Sequence, residues 1–390
     1  MEAKKVLLVK YGEISLRKGN RALFEYRIMD TIRNNLQSNL KVYREQGRFL
    51  IENPTADLNS EEVLPHIKHI FGITGFCHAV KTNSKEIDNL KAIAADFLKS
   101  LDLNGASTFR VTTKRGDKNY PLKSNEISAE IGDSILSSGL GLKVELKKPD
   151  INLWVEIRNN VYFYIESERG EGGLPYGSNG KGVLLLSGGF DSPVAGYLAA
   201  RRGVEILPVY FHSPPFVSER AADKVCDISD VLKKFTGSIN LRIIPFTEIQ
   251  VFLKDNVQSE KLTIMLKRAM IHVANLICEK EKAHCLIMGD SIGQVASQTI
   301  QSIAAVNSAA SFPIIRPLST MDKQEIIDKA KQISTFEISA RPFDDCCTIF
   351  VADHPETKPN TKVIEKIEAR LMPSLKPLLE KAVQTLDIRV

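Results

Sequence analysis

The sequence predicts a mixed α/β protein, with a C-terminal doubly wound, parallel-sheet α/β domain preceded by two smaller α+β units. Three observations predict it. From residue 182 onward, apolar strand-like runs alternate with helical segments. Before that point short strands and helices mix without regular alternation. Between the halves lies GEGGLPYGSNGKG (170–182), where seven of thirteen residues are glycine or proline, the composition of a linker. The expected boundaries are 1–60 and 61–166 for the two small units, 167–181 for the linker and 182–390 for the large domain.

In the first unit, residues 4–10 (KKVLLVK) have the apolar centre of a strand. Residues 21–40 place Leu23, Phe24, Ile28, Ile32 and Leu36 at helical spacing. Residues 48–52 (RFLIE) read as a returning strand, and Asn53-Pro54 ends the unit. The second unit has helical stretches at 61–70 and 84–100, strand-like stretches at 109–113 and 151–165, and a helix over 124–138 that opens on cap residues. After the linker, VLLLS (183–187) is a continuous apolar run, the pattern of a strand buried on both faces of a parallel sheet. A helix (PVAGYLAARRG) follows, then strand EILPVYF (205–211), a helix near 218–235 and strand LRIIPF (241–246). A helix at 262–280 and strand HCLIMGD (284–290) complete the alternation.

Composition narrows the class. The 390 residues are 43% hydrophobic and 25% charged, which excludes global disorder. No apolar run is long enough to span a membrane, and the N-terminal VLLV is too short for a signal peptide, so a cytoplasmic location is expected. Six cysteines without a CxxC pair exclude a disulfide framework or a zinc ribbon, and no metal-ligand cluster is apparent. Cys77, Cys226, Cys278 and Cys285 stand singly and read as inert core thiols. The net charge is +5. Residues 1–181 carry 27 Lys+Arg against 23 Asp+Glu, so nearly all of the excess lies there. It concentrates in two windows. One holds Lys4, Lys5, Lys10, Arg17, Lys18 and Arg21 against Glu13; the other holds Arg110, Lys114, Arg115, Lys118 and Lys123 against Asp117. Clustered cations of this kind suit a phosphate backbone, or simply a solvated surface. Tyr120, set among the second cluster, either stacks on a base or anchors its loop.

The sharpest chemical signal is Ser187-Gly188-Gly189-Phe190-Asp191-Ser192, between a buried strand and a helix. Two glycines permit a tight turn, and backbone N–H groups at a helix start can cradle phosphate oxygens. Pro193 suits the first helical position, where no N–H is needed. Neither GxGxxG nor GxxxxGK[ST] is present.

This loop resembles the SGGxDS pyrophosphate loop of the ATP pyrophosphatases. With VYFHSPPF (209–216), IMLKRAM (264–270), MGDSIGQVASQT (288–299), RPLSTMDKQEII (316–327) and DDCCTIF (344–350), the chain resembles the tRNA 4-thiouridine synthetase (tRNA sulfurtransferase) family. KYGEISLRKGNR (10–21) is similar to that family's ferredoxin-like domain, and KRGDKNYPLKSNEIS (114–128) to a THUMP RNA-binding domain. The resemblance implies that the large domain is a PP-loop domain, like the adenine nucleotide alpha hydrolases. It implies an ATP site formed by Leu185, Leu186, Ser187, Gly188, Gly189, Asp191, Ser192, Tyr210, Phe211, Lys267 or Arg268, Gly289 and Gln298. Asp191 would organise Mg2+ and pyrophosphate, against the plainer reading of a helix cap. Lys323 would stabilise charge at the reacting end. Cys346 would carry a persulfide, with Cys347 as the alternative.

The activity so implied is adenylation of the C4 oxygen of a tRNA uridine, expected at position 8, followed by sulfur transfer. A role in sulfur transfer to the thiazole of thiamine is known for the family. The chain ends at Val390 and residues 361–390 contain no cysteine. The rhodanese domain of some relatives is therefore not expected, and sulfur should come from a separate protein such as a PLP-dependent cysteine desulfurase. Partners expected are tRNA, that donor and a second copy in a homodimer, with no membrane. Two other readings stay open: a different PP-loop RNA-modifying enzyme, and a non-catalytic RNA-binding adaptor.

Overall fold

The run KKVLLVK lies in β1 (Ala3–Tyr11), the first element of a computed structural model that describes residues 3–16, 19–45, 47–103, 105–343 and 355–389. The chain divides into Met1–Leu174 and Pro175–Val390. After β1 the first unit contains α1 (Arg21–Asn35), β2 (Lys41–Glu45), β3 (Arg48–Glu52), α2 (Ser60–Ile67), β4 (Ile73–Thr82) and α3 (Ile87–Lys99). It continues with β5 (Thr108–Arg115), α4 (Ser124–Ser137), β6 (Lys143–Val144), β7 (Ile151–Ile157) and β8 (Val161–Arg169). These strands make one sheet in the order β2-β3-β1-β4-β8-β7-β5-β6. Strand β1 pairs antiparallel with both β3 and β4. Leu7, Val9 and Tyr11 pack with Ile28 and Ile32 of α1, whereas Val6 and Leu8 pack with Leu50, Cys77, Tyr162 and Tyr164 on the other face. An interior strand buried on both faces has no polar alternation.

Several sequence expectations change here. Leu23 is exposed: Phe24, Ile28 and Ile32 set the buried face of α1, and the next residue back is rotated away from it. Residues 151–165 are not one strand but two, β7 and β8, joined at Arg158–Asn160 with Trp154 opposite Tyr164. Apolar residues continue on both sides of the turn, which hides it. Strand β4 was not expected, yet it is the partner that joins β1 to β8. Tyr120 is buried and its hydroxyl donates to the Lys85 carbonyl at 2.8 Å, so it anchors its loop. The glycine-rich segment after β8 is hydrogen-bonded at both ends. Gly170 N–H and Gly172 N–H donate to the carbonyls of Thr74 and Ile73, and Asn179 N–H donates to that of Gly203. A side chain at Gly170 would stand 2.3 Å from the Ile73 carbonyl oxygen, so this glycine serves close approach rather than flexibility.

The second unit runs β9 (Lys181–Leu185), α5 (Asp191–Arg201), β10 (Glu205–His212), α6 (Glu219–Thr236), β11 (Leu241–Pro245), α7 (Thr247–Asn256) and α8 (Ser259–Glu281). Then come β12 (Cys285–Ile287), α9 (Ile300–Asn307), β13 (Ile314–Ile315), α10 (Lys323–Gln332), α11 (Phe336–Ser339), α12 (Thr361–Gln384) and β14 (Asp387–Arg389). The sheet order is β13-β12-β9-β10-β11-β14; β9 to β13 are parallel and only β14, at the edge, is antiparallel. The chain therefore winds one way from β9 to β11 and the other way to β12 and β13. The switch point lies between β9 and β12, where ligands bind in such sheets.

Helix α8 is the spine of the core, with Met265, Leu266, Ile271 and Ile277 buried against Leu371, Leu375 and Leu379 of α12. One ion cluster crosses this interface. The buried Arg268 bonds Glu368 at 2.9 Å through Nε, and His272 lies 3.0 Å from the same carboxylate. Burial pushes the Glu368 carboxyl up, but the hydrogen bonds from His272 and Arg268 outweigh it and hold its pKa down at about 2. The unfolded chain takes up this proton near pH 4.5, so between those values the unfolded state binds more protons. The stabilisation is thus complete above about pH 5 and is lost as pH falls toward about 2. We expect Glu368→Gln to lower the urea-unfolding free energy at neutral pH by about 3 kcal/mol. It should also flatten the acid slope of stability in that window.

Candidate active site

Strand β9 is buried on both faces, so its polar continuation must leave the sheet at its C-terminal end. Ser187 to Phe190 make that exit and α5 begins at Asp191. The loop is tied to itself: Ser187 N–H donates to Ser192 Oγ at 2.8 Å, and the two hydroxyls are 3.1 Å apart. Ser339 Oγ donates to the Gly189 carbonyl at 3.2 Å. Pro193 is the third residue of α5 and not the first, because the helix already starts at Asp191; it still lies within the turn whose N–H groups have no helical partner.

A pocket of about 230 Å³ opens beside this loop at the switch point. Leu185, Leu186, Ser187, Asp191 and Ser192 line one side. Tyr210 and Phe211 from the end of β10, Lys267 and Met270 from α8, and Met288, Gly289, Asp290 and Gln298 complete it. Phe211 is held edge-on against Phe246, with ring centroids 5.0 Å apart. Gly289 is required by packing. A β-carbon there would lie 2.7 Å from Ser192 N and 2.8 Å from the Asp191 carbonyl carbon, so only glycine lets the segment after β12 reach the first turn of α5.

Two carboxylates organise the charge. Asp290 is buried, accepts from Lys267 Nζ at 3.1 Å and Arg316 Nε at 3.0 Å, and lies 3.4 Å from Gln298 Nε2. Burial pushes its carboxyl up, but Lys267 and Arg316 outweigh that and hold it below the ordinary value. Asp191 is not the cap of α5, a position that Phe190 occupies. One oxygen of Asp191 instead accepts from Lys323 Nζ at 3.1 Å and the other from Gln294 Nε2 at 3.0 Å. Lys323 is the first residue of α10, a place unfavourable for a cation. Asp322 and Glu325 form a capping box around that end, and Lys323 also lies over the Phe190 ring, 5.2 Å from its centroid.

In the first unit the expected RNA-facing cations divide. Arg21 bonds Glu25 and the Tyr11 hydroxyl, both at 2.8 Å, and Arg115 donates to the carbonyls of Tyr120 and Leu122 at 2.9 Å. Both act as local clamps. Lys10 pairs with Glu166, and Arg110 donates to the Leu146 carbonyl. Lys114 is exposed over the Trp154 ring, and Lys118 and Lys123 are exposed. Arg17, Lys18, Cys346 and Cys347 lie outside the described residues.

Comparison with known proteins covers both units. Residues 177–372 match the family described as thiamine biosynthesis protein (ThiI), residues 6–77 the ThiI ferredoxin-like domain and residues 84–166 the THUMP domain. A probable tRNA sulfurtransferase of Lachnoclostridium phytofermentans is 44% identical over 386 residues, 98% of each chain. The chain belongs to the ThiI family. A probable tRNA sulfurtransferase of Acetivibrio thermocellus, also 44% identical, covers 99% of this chain and is itself covered over 98%. Among solved structures, a 4-thiouridine synthetase–RNA complex with bound ATP is 38% identical, with a TM-score of 0.90 and 99% of both chains covered.

Within the ThiI-matching half, the structure brings Leu185, Leu186, Ser187, Asp191, Ser192, Tyr210, Phe211, Lys267, Gly289 and Gln298 to one pocket. Gly188 and Gly189 lie in the adjoining loop, and Lys323 reaches it through Asp191. Arg268 is a correction. Successive helix residues point about 100° apart, so with Lys267 in the pocket Arg268 is directed into the core toward Glu368. Asp290, Arg316 and Gln294 escaped the sequence reading. An acid immediately after an apolar strand, in MGD, was the available signal for Asp290. Its cations come from α8 and from RPLST, which only folding brings together. We expect Gly289→Ala to weaken binding of ATP, the ligand its loop implies, by about tenfold or more, because overpacking here costs about 1–3 kcal/mol. Titration calorimetry checks this, with the melting temperature recorded alongside.

Proposed function

We propose that the protein is an ATP-dependent tRNA sulfurtransferase that makes 4-thiouridine, with uridine 8 as its target. The observation that supports this reading is the pocket itself, beside the strand-to-helix loop Ser187–Ser192 at the switch point, with Asp191 and Lys323 in contact at its edge. In this reading Tyr210, Phe211, Lys267 and Gln298 hold the nucleotide, and the Ser187–Ser192 loop takes the pyrophosphate. In this reading the chain divides into a ferredoxin-like domain (1–60), a THUMP domain (61–166) and a PP-loop domain (182–390), although the ferredoxin-like match runs on to residue 77.

Among the described residues no group of three or more His, Cys, Asp or Glu could hold a metal ion. Magnesium would be held between the nucleotide's phosphates and this chain's carboxylate. Asp191 would hold it, and it supplies charge neutralisation to the leaving pyrophosphate.

Uridine O4 attacks the α-phosphorus, the bond to the β-phosphate oxygen breaks, and N3 loses its proton. Lys323 stabilises the charge that develops. The terminal sulfur of a Cys346 persulfide then attacks C4 and the C4–O bond breaks, releasing AMP. A second thiol, Cys347 or an external one, attacks the Cys346 sulfur, which leaves the sulfur on C4 and forms a disulfide that a dithiol reduces. A PLP-dependent cysteine desulfurase loads the persulfide. The same persulfide would serve thiamine thiazole synthesis. Among the described residues no helix is long and apolar enough to cross a membrane. A cytoplasmic location and a homodimer belong to the proposal.

The test mixes protein, MgATP and unmodified tRNA with sulfide in place of the donor, followed by mass spectrometry of the digested tRNA. We expect 4-thiouridine with the wild type, and Asp191→Asn slower by about 100-fold or more. Cys346→Ala should stay active with sulfide and fail with a desulfurase. Pyrophosphate release without thiolated product would overturn the sulfur assignment. Lys118→Ala and Lys123→Ala should each weaken tRNA binding and reduce its salt slope by about one unit, with ATP affinity unchanged.

A further inference from the structure

We infer that Gln294 is a positioning residue for Asp191, setting that carboxylate to receive magnesium-bound nucleotide; the inference rests on the role proposed for Asp191 above. Three observations converge on it. Gln294 Nε2 donates to Asp191 Oδ2 at 3.0 Å, opposite the oxygen that faces Lys323. A carboxylate only accepts, so the amide nitrogen must face it and the amide oxygen must turn away. That oxygen is buried and has no hydrogen-bond partner among the described residues. An orphaned acceptor is costly, and an apolar side chain of similar size would fill the same space without it. The contact therefore has a use that packing alone does not explain.

The main chain beneath Gln294 is braced for this purpose. Ser291 Oγ donates to the Met321 carbonyl at 2.7 Å, and Ile292 N–H donates to that of Ser319 at 3.2 Å. Gly293 N–H donates to the Gln298 carbonyl at 2.8 Å, with φ at +78°, a left-handed conformation that favours glycine. The loop thus ties Gln294 to the turn that follows β13, at Ser319 and Met321, and to Gln298 of the pocket. The chemistry of the residue also matters. An arginine would hold Asp191 equally well but cancel its charge. A neutral amide fixes the carboxylate plane and leaves its full negative charge for the cation. Lys323 is a long and partly exposed side chain that can give way when the metal–nucleotide complex arrives, whereas Gln294 stays on the other oxygen.

The experiment is a Mg2+ titration of the binding of a non-hydrolysable ATP analogue by calorimetry, on wild type, Gln294→Leu and Gln294→Arg. We expect the Mg2+ midpoint to rise about tenfold in Gln294→Leu, with metal-free analogue affinity within about twofold of wild type. Gln294→Arg keeps a donor but neutralises Asp191, and its midpoint should rise at least as far. An unchanged midpoint in Gln294→Leu overturns the inference. So does equal loss of metal-free and metal-dependent binding with a lowered melting temperature, since that marks a merely structural role. Failure of the wild type to bind the analogue at all would instead remove the functional reading on which the inference rests.

Discussion

The catalytic half depends on one contact between main chains. The segment after β12 reaches the first turn of α5 only because Gly289 has no side chain. This brings Asp290, Gln294 and Gln298, which follow Gly289, to the loop that leaves β9. It joins the two directions of winding at the point where they diverge. Pocket-lining side chains from β9, β10, α8 and the β12 loop converge there because the sheet reverses its order at β9.

Charge in the pocket is arranged in two layers. Asp290 is buried between Lys267 and Arg316, so it orients cations rather than meeting solvent. Asp191 stands at the edge, with Lys323 on one oxygen and Gln294 on the other. The inner carboxylate holds two largely buried cations. In the proposed reading the outer one keeps a negative charge for a cation carried by the nucleotide. A third ion cluster, of Arg268, His272 and Glu368, lies in the core and joins α8 to α12. Adjacent residues of α8 therefore serve the site and the core separately.

The first unit shows how misleading raw charge counts are. Of the cations that suggest a nucleic-acid surface, Arg21 and Arg115 are spent on local hydrogen bonds, while Lys114, Lys118 and Lys123 face solvent. Position along the chain does not separate these groups. The side chains opposite each cation do.

Local signals in the sequence determined a good deal of this protein. A continuous apolar run followed by SGGFDS marked a buried strand, a phosphate loop and a helix start, because each of those features is encoded within a few neighbouring residues. The alternation after residue 182 determined the parallel sheet in the same way. Strand β4 stayed hidden because its sequence, ITGFCHAVKT, carries glycine and lysine in a strand whose identity comes from pairing with β1 and β8. The turn between β7 and β8 was masked by the apolar runs on either side, although Asn159 and Asn160 are turn-favouring residues. Only the tertiary structure decided that Lys267 rather than Arg268 enters the pocket, since the choice rests on where Glu368 stands, 100 residues away. It likewise decided that Gln294 meets Asp191, a contact across 103 residues. Neither side chain has a local pattern to announce it, because each is defined by a partner that folding supplies.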